Sequence, residues 1–425
     1  MSNLRLFMWQ GALLIGSITL SFSLAGKTFA QTNMTSPPVH TVPLAAKAYA
    51  RLQQALSFYE IAASHPETFP WPTIPETKLL HSGDRDSAIL LIRQRLRTTG
   101  DLAANIPDSK KYDDDLEKAI IRFQWRHGLK SDGVIGEHTR EAMNVSPQDR
   151  VKQIQINMQR WAHLEKILGN RFVMVNVPEF QLHLFDHDQE RLTMKVIVGK
   201  PSRPTPDITS KITRLIFNPR WSVPHLIAQR DIVPKVLADP NYLSNNQIRI
   251  FNNEEANAYE ISPQEVDWSN AQENGFHYHF KQDPGFNNAL GLVKFEFVNT
   301  HDIYLHDTPS KNLFDQEIRA FSSGCVRLEK PFSLVDYLTQ GDASIDHDII
   351  REKLNDKTTA IFKLDHSIPI IITYITAWVD NNNIAHFIND IYGEDGMTAS
   401  VQARADEEMV NEPEQAPPEN QSFSN

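Results

Sequence analysis

Cysteine is nearly absent from this sequence, since Cys325 is the only one in 425 residues. A single cysteine excludes an internal disulfide. A surplus of positive charge is also lacking, because 42 Lys and Arg stand against 53 Asp and Glu, giving a net charge of -11. This balance argues against a general nucleic-acid binder. It does not exclude an anionic polymer as substrate, because a local groove can be basic.

Long apolar runs are lacking after residue 30, so no later segment is predicted to span a membrane. The first thirty residues are typical of a signal peptide: Arg5 precedes an apolar run from Gly11 to Ala25, and Thr28-Phe29-Ala30 forms a cleavage pattern. The alternative is an uncleaved N-terminal anchor, since Leu6 to Gly26 is about long enough to span a bilayer. Either way, we expect the body of the protein to lie outside the cytoplasm.

The periodicity changes from helical to alternating along the chain. Residues 31–79 are predicted to be a linker and scaffold helix (Ala45–Ala62), 80–145 a compact three-helix module and 146–170 a second scaffold helix. Residues 171–393 are predicted to be mainly β, with a helical and then loop-like insertion at about 222–282. Residues 394–425 are predicted to be a disordered acidic tail, since residues 406–419 hold six acids, three prolines and no basic residue. A regulatory role of this tail is the alternative.

The individual elements follow from the same patterns. In the module, helices are predicted from about Asp86 to Thr98, from near Asp113 to Gly128, and at Glu137–Met143; the second scaffold helix is predicted at Pro147–Leu168. Strands are predicted at 172–177, 181–185, 192–198, 213–217, 293–297, 303–305 and 369–374, with a turn at 186–188.

The residues around Cys325 have the features of a nucleophilic site. Glycine at 324 lets the backbone approach a substrate closely, and the main-chain N–H groups of Gly324 and Cys325 are candidate donors to an oxyanion. His306 lies nineteen residues upstream, at a predicted strand end. A nearby imidazolium lowers a thiol pKa from about 8.5 by one to several units. We therefore expect an ion pair of Cys325 and His306 that is active at neutral pH.

Each residue has a plainer alternative. A lone cysteine in an exported chain indicates a reactive thiol or intermolecular pairing, but an inert, buried cysteine also fits. With 16 histidines in the chain, one upstream of a cysteine has little weight by itself. A zinc site needs three or four suitably spaced ligands, which one cysteine and scattered histidines do not supply. No metal or other cofactor is predicted.

The wider pattern resembles the YkuD-type L,D-transpeptidase catalytic domain of bacterial cell-wall enzymes. Its marks are His306 and the run Ser322-Ser323-Gly324-Cys325-Val326-Arg327. The segments at 180–182, 196–200, 217–224 and 282–285 look most like the large periplasmic branch of that family. Many members have a histidine where this chain has Ser323, which places a proton-relay role of that position in doubt. The module at 80–145 resembles a three-helix peptidoglycan-binding domain through Phe123, Gln124, His127, Gly128, Leu129, Asp132, Gly133, Gly136 and Thr139.

The resemblance implies the fold class. The chain is expected to be an α+β multidomain protein with a mainly-β catalytic domain, described as a mixed β-sandwich with a helical insertion, and a small all-α peptidoglycan-binding bundle. It also implies a periplasmic enzyme whose partners are donor and acceptor peptidoglycan stem peptides. Cell-wall synthases or carboxypeptidases are further candidate partners. The alternative for the module is that it only supports the catalytic domain.

The resemblance also implies the chemistry. Cys325 attacks a donor stem between residue 3, a diamino acid, and D-Ala at position 4; His306 accepts and returns the proton; and Gly324, Ser323 and Ser322 support the oxyanion. The thioester passes to a second stem as a 3→3 cross-link, and carbapenems acylate the thiol. Arg327 holds a substrate carboxylate or forms a structural ion pair. Tyr304 and Trp221 line the cleft or are core aromatics.

Other functions share the first half-reaction. Water or a free D-amino acid in place of the acceptor would give a carboxypeptidase or exchange enzyme, and a lipoprotein could also be attached or released. A non-catalytic peptidoglycan-binding scaffold is a different class, which the presence of both Cys325 and His306 argues against. A papain-like protease requires its cysteine before its histidine, and the order here is reversed.

Overall fold

The computed structural model describes residues 45–396, apart from 188, 256, 343 and 344. The predicted signal peptide or anchor at 1–30, the linker at 31–44 and the acidic tail beyond 396 lie outside the described residues, as does position 188 of the predicted turn. Within the described part of the chain, no helix combines the length and apolar character needed to cross a membrane.

Helices form the first part of the described chain, and three of them build the predicted bundle. Asp113 and Ser146 cap the third and fifth helices by accepting main-chain N–H groups, which fixes where these helices begin. The bundle has its own apolar core, which includes Ile92, Phe123 and Met143. The helices are α1 (Ala45–Ser64), α2 (Ala88–Thr98), α3 (Asp114–Arg126), α4 (Glu137–Asn144) and α5 (Pro147–Ile167).

The second part is built on one mixed sheet of nine strands. The strand order is β11-β3-β12-β10-β9-β4-β13-β1-β2. Because β2 also pairs with β3, the sheet closes on itself. The α+β class and the mainly-β catalytic domain are confirmed. The strands are β1 (Arg171–Asn176), β2 (Gln181–Asp186), β3 (Gln189–Gly199), β4 (Ile208–Phe217), β9 (Val293–Phe297), β10 (Leu305–His306), β11 (Ala320–Ser322), β12 (Val326–Leu328) and β13 (Ala360–Thr373).

Both faces of β1 are buried, and alternate residues of a strand point to opposite faces. Val173 and Val175 of β1 pack into the interior of the closed sheet. Phe172 and Met174 pack outward in a second cluster, which also holds Trp161 of α5 and residues of α1. The two scaffold helices therefore lie against the outside of the β domain.

The insertion is more regular than predicted, and the prediction of a helical and then loop-like segment is wrong in its second half. Four short strands pair in the order β5-β8-β6-β7, around a separate apolar core that includes Ile250, Phe276 and Phe280. The elements are β5 (Trp221–Ser222), α6 (His225–Ile227), a π-helical turn (Ala228–Ile232), α7 (Val233–Ala238), α8 (Tyr242–Asn245), β6 (Ile248–Phe251), β7 (Glu260–Ile261), a 3-10 turn (Pro263–Glu265), α9 (Trp268–Asn274) and β8 (His279–Gln282).

The end of the chain also differs from the prediction. The strand expected at 369–374 is the last part of the longer β13, and the strand expected at 303–305 begins only at Leu305. The tail was predicted to begin at 394, but Asp395 is buried and bonds Arg160 and Thr376. Elements not predicted are a 3-10 turn (Lys311–Asp315), α10 (Pro331–Thr339), α11 (His347–Asn355) and the hairpin β14 (Ala377–Val379) with β15 (Ala385–Phe387).

A buried histidine on β2 makes the stability of this fold depend on pH. The ring of His183 lies 2.6 Å from Glu190 and 3.3 Å from Glu179. Burial lowers the pKa of His183, but the two carboxylates outweigh it and raise the pKa from 6.5 to about 9. Because the folded pKa lies above the unfolded one, the stabilisation is full below pH 6.5 and is lost as the pH rises through about 9.

We therefore expect the melting temperature to fall by a few degrees between about pH 6.5 and 9.5 through this group. His183→Met leaves both carboxylates in place. Its melting temperature should be lower than that of the wild type at pH 6.5 and should fall less between pH 6.5 and pH 9.5. Circular dichroism melts of both proteins measure the difference. Parallel pH profiles for the two proteins would contradict the assignment.

Candidate active site

Cys325 lies in a tight turn between two strands that both pair with β3. β11 runs parallel to β3 and ends at Ser322, and β12 begins at Val326 and runs antiparallel to it. Gly324 has φ +113°, which L side chains rarely adopt, and a Cβ there would lie 3.0 Å from Ile303 Cδ1. Glycine is therefore required for the turn that presents the thiol.

The hydroxyl of Ser322 hydrogen-bonds within this turn and occupies one of the amides that could otherwise bind an oxyanion. It accepts from Gly324 N–H at 3.1 Å and donates to the main-chain oxygen of Cys325 at 2.5 Å. The amide of Gly324, expected to be an oxyanion donor, is therefore already engaged. In the described part of the chain, the N–H groups of Ser323 and Cys325 have no hydrogen-bond partner. The amides open to an oxyanion are thus those of Ser323 and Cys325.

His306 is held in one tautomer by its own main chain. Its Nδ1 lies 2.5 Å from the main-chain oxygen of Asp307, so Nδ1 carries the proton and Nε2 keeps its lone pair. Asp307 is fixed in turn, because its carboxylate accepts from Lys311 Nζ at 2.6 Å and Leu292 N–H at 2.9 Å. His306 lies opposite Arg327 on the parallel strands β10 and β12. The imidazole is thus set up as an acceptor.

The charges of the resting site differ from the expected ion pair. Burial, aided by the charges of Arg327, Lys294 and Lys311, lowers the pKa of His306 from 6.5 to about 3. Burial likewise raises the pKa of the Cys325 thiol. Both groups are therefore neutral at pH 7, and the structure shows no hydrogen bond between them. The low dielectric of the site disfavours each charged form, which the sequence did not reveal.

Tyr304 lies near the thiol, and Trp221 lies near Tyr304. The Cys325 thiol donates to the main-chain oxygen of Asp302 at 3.8 Å. The main chain and phenol of Tyr304 lie near the sulfur and lower the pKa of the thiol against the larger effect of burial. Burial raises the pKa of the Tyr304 phenol, and the nearby Trp221 indole acts in the opposite direction. Tyr304 lines the neighbouring cleft, whereas Trp221 also packs against the apolar core of the insertion.

Positive charge and a cleft lie next to these groups. Arg327 and Lys294 lower the pKa of both His306 and Cys325, so both cations face the reacting pair. Lys294 Nζ lies 4.1 Å from the centre of the Tyr304 ring. A cleft of about 260 Å³ lies over the paired strands β4 and β9, with Asp302, Ile303 and Tyr304 along its wall. Among the described residues, no group of three or more His, Cys, Asp or Glu side chains is placed to hold a metal ion.

Several contributors to the site were not predicted. Thr205 donates to the main-chain oxygen of Gly324 at 2.7 Å and accepts from Gly199 N–H at 2.8 Å, which ties the cysteine turn to the end of β3. Arg203 donates to Ser323 Oγ at 2.8 Å. The run Arg203-Pro204-Thr205-Pro206 directly after a strand is the signal that could have been followed.

Comparison with known proteins gives two family matches. Residues 170–349 match the family model described as "L,D-transpeptidase catalytic domain". Residues 85–143 match the one described as "Putative peptidoglycan binding domain". A curated relative from Haemophilus influenzae (strain ATCC 51907 / DSM 11121 / KW20 / Rd), named "Putative L,D-transpeptidase", is 36% identical over 223 residues, or 52% of this chain and 44% of that relative. The chain thus spans less than half of the relative it matches.

Solved structures show a weaker likeness. The L,D-transpeptidase from Stackebrandtia nassauensis is 13% identical, with 71% of this chain and 96% of that chain covered and a TM-score of 0.26. The L,D-transpeptidase from Mycobacterium smegmatis is 12% identical, with coverages of 48% and 58% and a TM-score of 0.21. Scores this low add nothing to the assignment.

The assignment therefore rests on the family models and the curated relative. Cys325 and His306 both lie within the residues of the first match, and the three-helix bundle coincides with the second. These matches identify residues 170–349 as an L,D-transpeptidase catalytic domain and residues 85–143 as a domain of the peptidoglycan-binding type.

Proposed function

We propose that the chain is an L,D-transpeptidase that cross-links peptidoglycan through an acyl-enzyme on Cys325. The observation that supports this best is the arrangement around the thiol. The two amides without a partner, at Ser323 and Cys325, belong to the nucleophile turn, and His306 offers a free Nε2 at neutral pH. A nucleophile, a general base and oxyanion donors are the parts that acyl transfer needs.

In the proposed first half-reaction, Nε2 of His306 takes the thiol proton as the sulfur attacks the carbonyl between residue 3 and D-Ala 4 of a donor stem. The N–H groups of Ser323 and Cys325 hold the oxyanion, a contribution of roughly 3–4 kcal/mol per donor in comparable sites. Collapse breaks the C–N bond, and the proton on His306 passes to the amine of the leaving D-Ala. The product is a thioester on Cys325.

In the second half-reaction, the side-chain amine of an acceptor stem attacks the thioester. His306 takes one proton from that amine and returns it to the sulfur as the C–S bond breaks. The new amide is a 3→3 cross-link, and the thiol is regenerated. Thiolate attack with acid–base help from a histidine supplies the whole sequence of bonds and protons.

Three further residues have proposed roles at the reacting groups. The Tyr304 phenol, which lowers the pKa of the thiol, is proposed to stabilise the thiolate as it forms, and the nearby Trp221 indole to orient the phenol. Burial and, after it, the charge of Arg327 lower the pKa of His306, and the planar cation of Arg327 is suited to a stem carboxylate. These roles would make all three sensitive to substitution.

The products of a defined substrate test this function. Purified protein is incubated with disaccharide-tetrapeptide, and the products are analysed by mass spectrometry. We expect a dimer that lacks one D-Ala. Tripeptide alone would favour the carboxypeptidase alternative, and incorporation of an added D-amino acid would favour exchange. Unchanged substrate with intact Cys325 would contradict the proposal and favour the non-catalytic scaffold.

The proposed location and partners follow from the proposed substrate, peptidoglycan. We propose that the protein is exported to the periplasm, where the stem peptides are its substrates; cell-wall synthases and carboxypeptidases are candidate partners there. The N-terminal segment that would direct export, or anchor the protein, lies outside the described residues. Cell fractionation with an antibody against the catalytic domain tests the location, and recovery in the cytoplasm would contradict it.

The helical module offers a cleft for peptidoglycan. The cleft has a volume of about 350 Å³, and its wall includes Lys130 and His138 of the module, Leu79 just before it, and Glu317 of the β domain. Several motif residues instead hold the module together: Gln124 bonds Asp132, Thr139 and the main chain of residues 133 and 134. Recognition is therefore proposed for the cleft rim.

Leu79→Ser combined with Lys130→Ala should weaken binding to purified sacculi by about tenfold, equivalent to about 1.4 kcal/mol. Co-sedimentation with sacculi measures this, in a Cys325→Ala background that prevents turnover. Lys118→Ala is the matched control, because Lys118 is an exposed lysine on the same module that does not line the cleft. Equal binding by the double variant and the control would favour the supporting role for the module.

A further inference from the structure

Arg203 connects the insertion to the turn that carries the nucleophile. Its Nη1 lies 2.5 Å from Asp231 Oδ2 and 2.8 Å from Ser323 Oγ, and its Nη2 lies 3.0 Å from Asp231 Oδ1. One guanidinium therefore holds a carboxylate of the insertion and a hydroxyl of the nucleophile turn at the same time. A planar guanidinium suits this, since its donors have a fixed geometry.

The backbone that carries Arg203 is firmly placed. Arg203 N–H donates to Lys200 O at 2.7 Å, and Thr205 N–H donates to the Tyr392 hydroxyl at 3.2 Å. A Cβ at position 199 would lie 2.2 Å from Arg203 O, so this loop packs tightly on the end of β3. The guanidinium is thus projected from a rigid base, and little side-chain freedom remains once both partners are bound.

The same loop holds the nucleophile turn at two more points. Lys200 N–H donates to Ser322 O at 3.0 Å, and Thr205 Oγ1 donates to Gly324 O. The bond from Arg203 to Ser323 adds a contact to the exposed middle of the turn. Ser323 and Cys325 carry the two amides without a partner, so the orientation of the middle of the turn sets the direction of the oxyanion donors.

Asp231 belongs to the insertion. It lies in the π-helical turn Ala228–Ile232, and both ends of that turn, Ala228 and Ile232, are buried in the insertion's own core. The insertion leaves the closed sheet at Phe217 and returns at Val293, which are paired neighbours on β4 and β9. Asp231 therefore forms an attachment remote from the point where the insertion joins the sheet.

We propose that Arg203 is a positioning residue that couples the insertion to the oxyanion-binding turn: Asp231 fixes the guanidinium, and the guanidinium fixes Ser323. The inference rests on the proposed function, since it assigns the N–H groups of Ser323 and Cys325 to an oxyanion. It means that acyl transfer is fastest when the insertion is seated on the β domain. An insertion displaced by its substrate, or not yet closed on it, would leave the turn less ordered.

A set of single variants tests the coupling. Arg203→Met keeps the aliphatic stem and removes the donors, Asp231→Asn removes the charge that fixes the guanidinium, and Ser323→Ala removes the acceptor but keeps the amide. Glu260→Gln is the matched control, because Glu260 is also a carboxylate of the insertion paired with an arginine, Arg249, and does not contact the turn. Arg203→Lys is the conservative variant.

The first readout is hydrogen exchange of a peptide covering residues 320–328, which requires no turnover. Loss of a contact that orders a segment raises its rate of local opening. We expect faster exchange in Arg203→Met and Asp231→Asn, a smaller increase in Arg203→Lys, and wild-type exchange in Glu260→Gln. Unchanged exchange in Arg203→Met, or an equal increase in the control, would overturn the coupling whether or not the protein is an active enzyme.

The second readout is turnover of disaccharide-tetrapeptide. Removing an oxyanion donor costs roughly 100-fold or more in kcat, so loosening the turn should cost about tenfold with KM changed less than about twofold. Because Arg203 acts through Ser323, the double variant Arg203→Met/Ser323→Ala should lose no more than Arg203→Met alone. Additive losses, or a raised KM at unchanged kcat, would overturn the proposal and make Arg203 a direct substrate ligand. If wild-type protein releases no product, the proposed function fails, and the exchange readout alone decides the coupling.

Discussion

Cys325→Ala should abolish acyl transfer, with a loss of roughly 10⁴-fold or more in kcat, because no other thiol exists in the chain to take its place. The structure explains why no neighbour can substitute. The Ser323 hydroxyl accepts from Arg203, and the Ser322 hydroxyl is committed to Gly324 and the main chain of Cys325. Turnover of disaccharide-tetrapeptide, followed by release of D-Ala, measures the effect.

The same substitution should leave the fold intact. Cys325 is only half-buried at the edge of the β-domain core, and alanine removes a single heavy atom there. A melting temperature within about 3 °C of wild type is expected from so small a cavity. Gly324→Ala is the contrasting variant: it retains the thiol but requires a side chain at φ +113°, so it should lose activity through the turn. Turnover by Cys325→Ala above one-hundredth of wild type would contradict the account.

His306→Gln should lower the rate of acylation of Cys325 by roughly 10²- to 10⁴-fold, the range found for general bases in other enzymes. The neutral imidazole offers Nε2 as an acceptor because Nδ1 is engaged with Asp307 O. A glutamine of similar size cannot take the thiol proton at neutral pH. Single-turnover acylation by a carbapenem, followed by intact-protein mass spectrometry, measures this step without the acceptor amine.

The pH profile distinguishes a neutral pair from an ion pair. His306 must be neutral to act as a base, and its pKa of about 3 keeps it so over the whole neutral and mildly acidic range. Wild-type acylation should therefore show no descending limb at about pH 6.5, where an ordinary histidine would lose activity as it gained a proton. Arg327→Gln removes one of the charges that lower this pKa and should move the acid limb upward.

The pH dependence of Cys325 alkylation by iodoacetamide tests the protonation state of the thiol. A thiol with a raised pKa reacts faster as the pH rises past about 8.5, whereas a thiolate held by an imidazolium reacts at a rate that is flat across neutral pH. We expect the first behaviour, because burial raises the pKa of Cys325. A flat alkylation rate from pH 6 to 8 would show that the ion pair predicted from sequence exists in solution.

The sequence predicted the helical bundle and much of the β domain because these rest on short-range periodicity. Phe172 to Val177 alternates between two buried faces, and Asp113 caps a helix three residues before Leu116, so each pattern is visible locally. The sheet of the insertion was missed because its strands are only two to four residues long. Strands that short give no reliable alternation.

The site was predicted as residue types but not as electrostatics. The pairing of β10 with β12 brings His306 and Tyr304 to the strand that follows Cys325, and all three residue types were named from the sequence pattern. The charge state of the pair depends on burial and on nearby cations, and the pairing of β9, β10 and β12 brings Lys294 and Arg327 to His306. The hydrogen bond from Gly324 N–H to Ser322 Oγ depends on a turn angle that no residue type reveals.

The contact between Arg203 and Asp231 also could not be predicted from local sequence, because it depends on tertiary structure. The two residues are 28 positions apart, in a loop after β3 and in a π-helical turn of the insertion. Neither lies in a motif with an obvious catalytic type. Only the placement of the insertion over the β domain brings them together, and that placement depends on the separate core of the insertion.

Cys325 is proposed to carry the acyl group, and trapping that acyl-enzyme shows whether it does. Wild-type protein is mixed with disaccharide-tetrapeptide, quenched in acid within the first turnovers and analysed by peptide mapping and mass spectrometry. We expect an adduct on the peptide that contains Cys325, with the mass of the donor stem less one D-Ala. Hydroxylamine should remove this adduct, because it is a thioester. Formation of the cross-linked product with an adduct on another residue, or with no adduct at any quench time in either wild type or His306→Gln, would contradict the proposal.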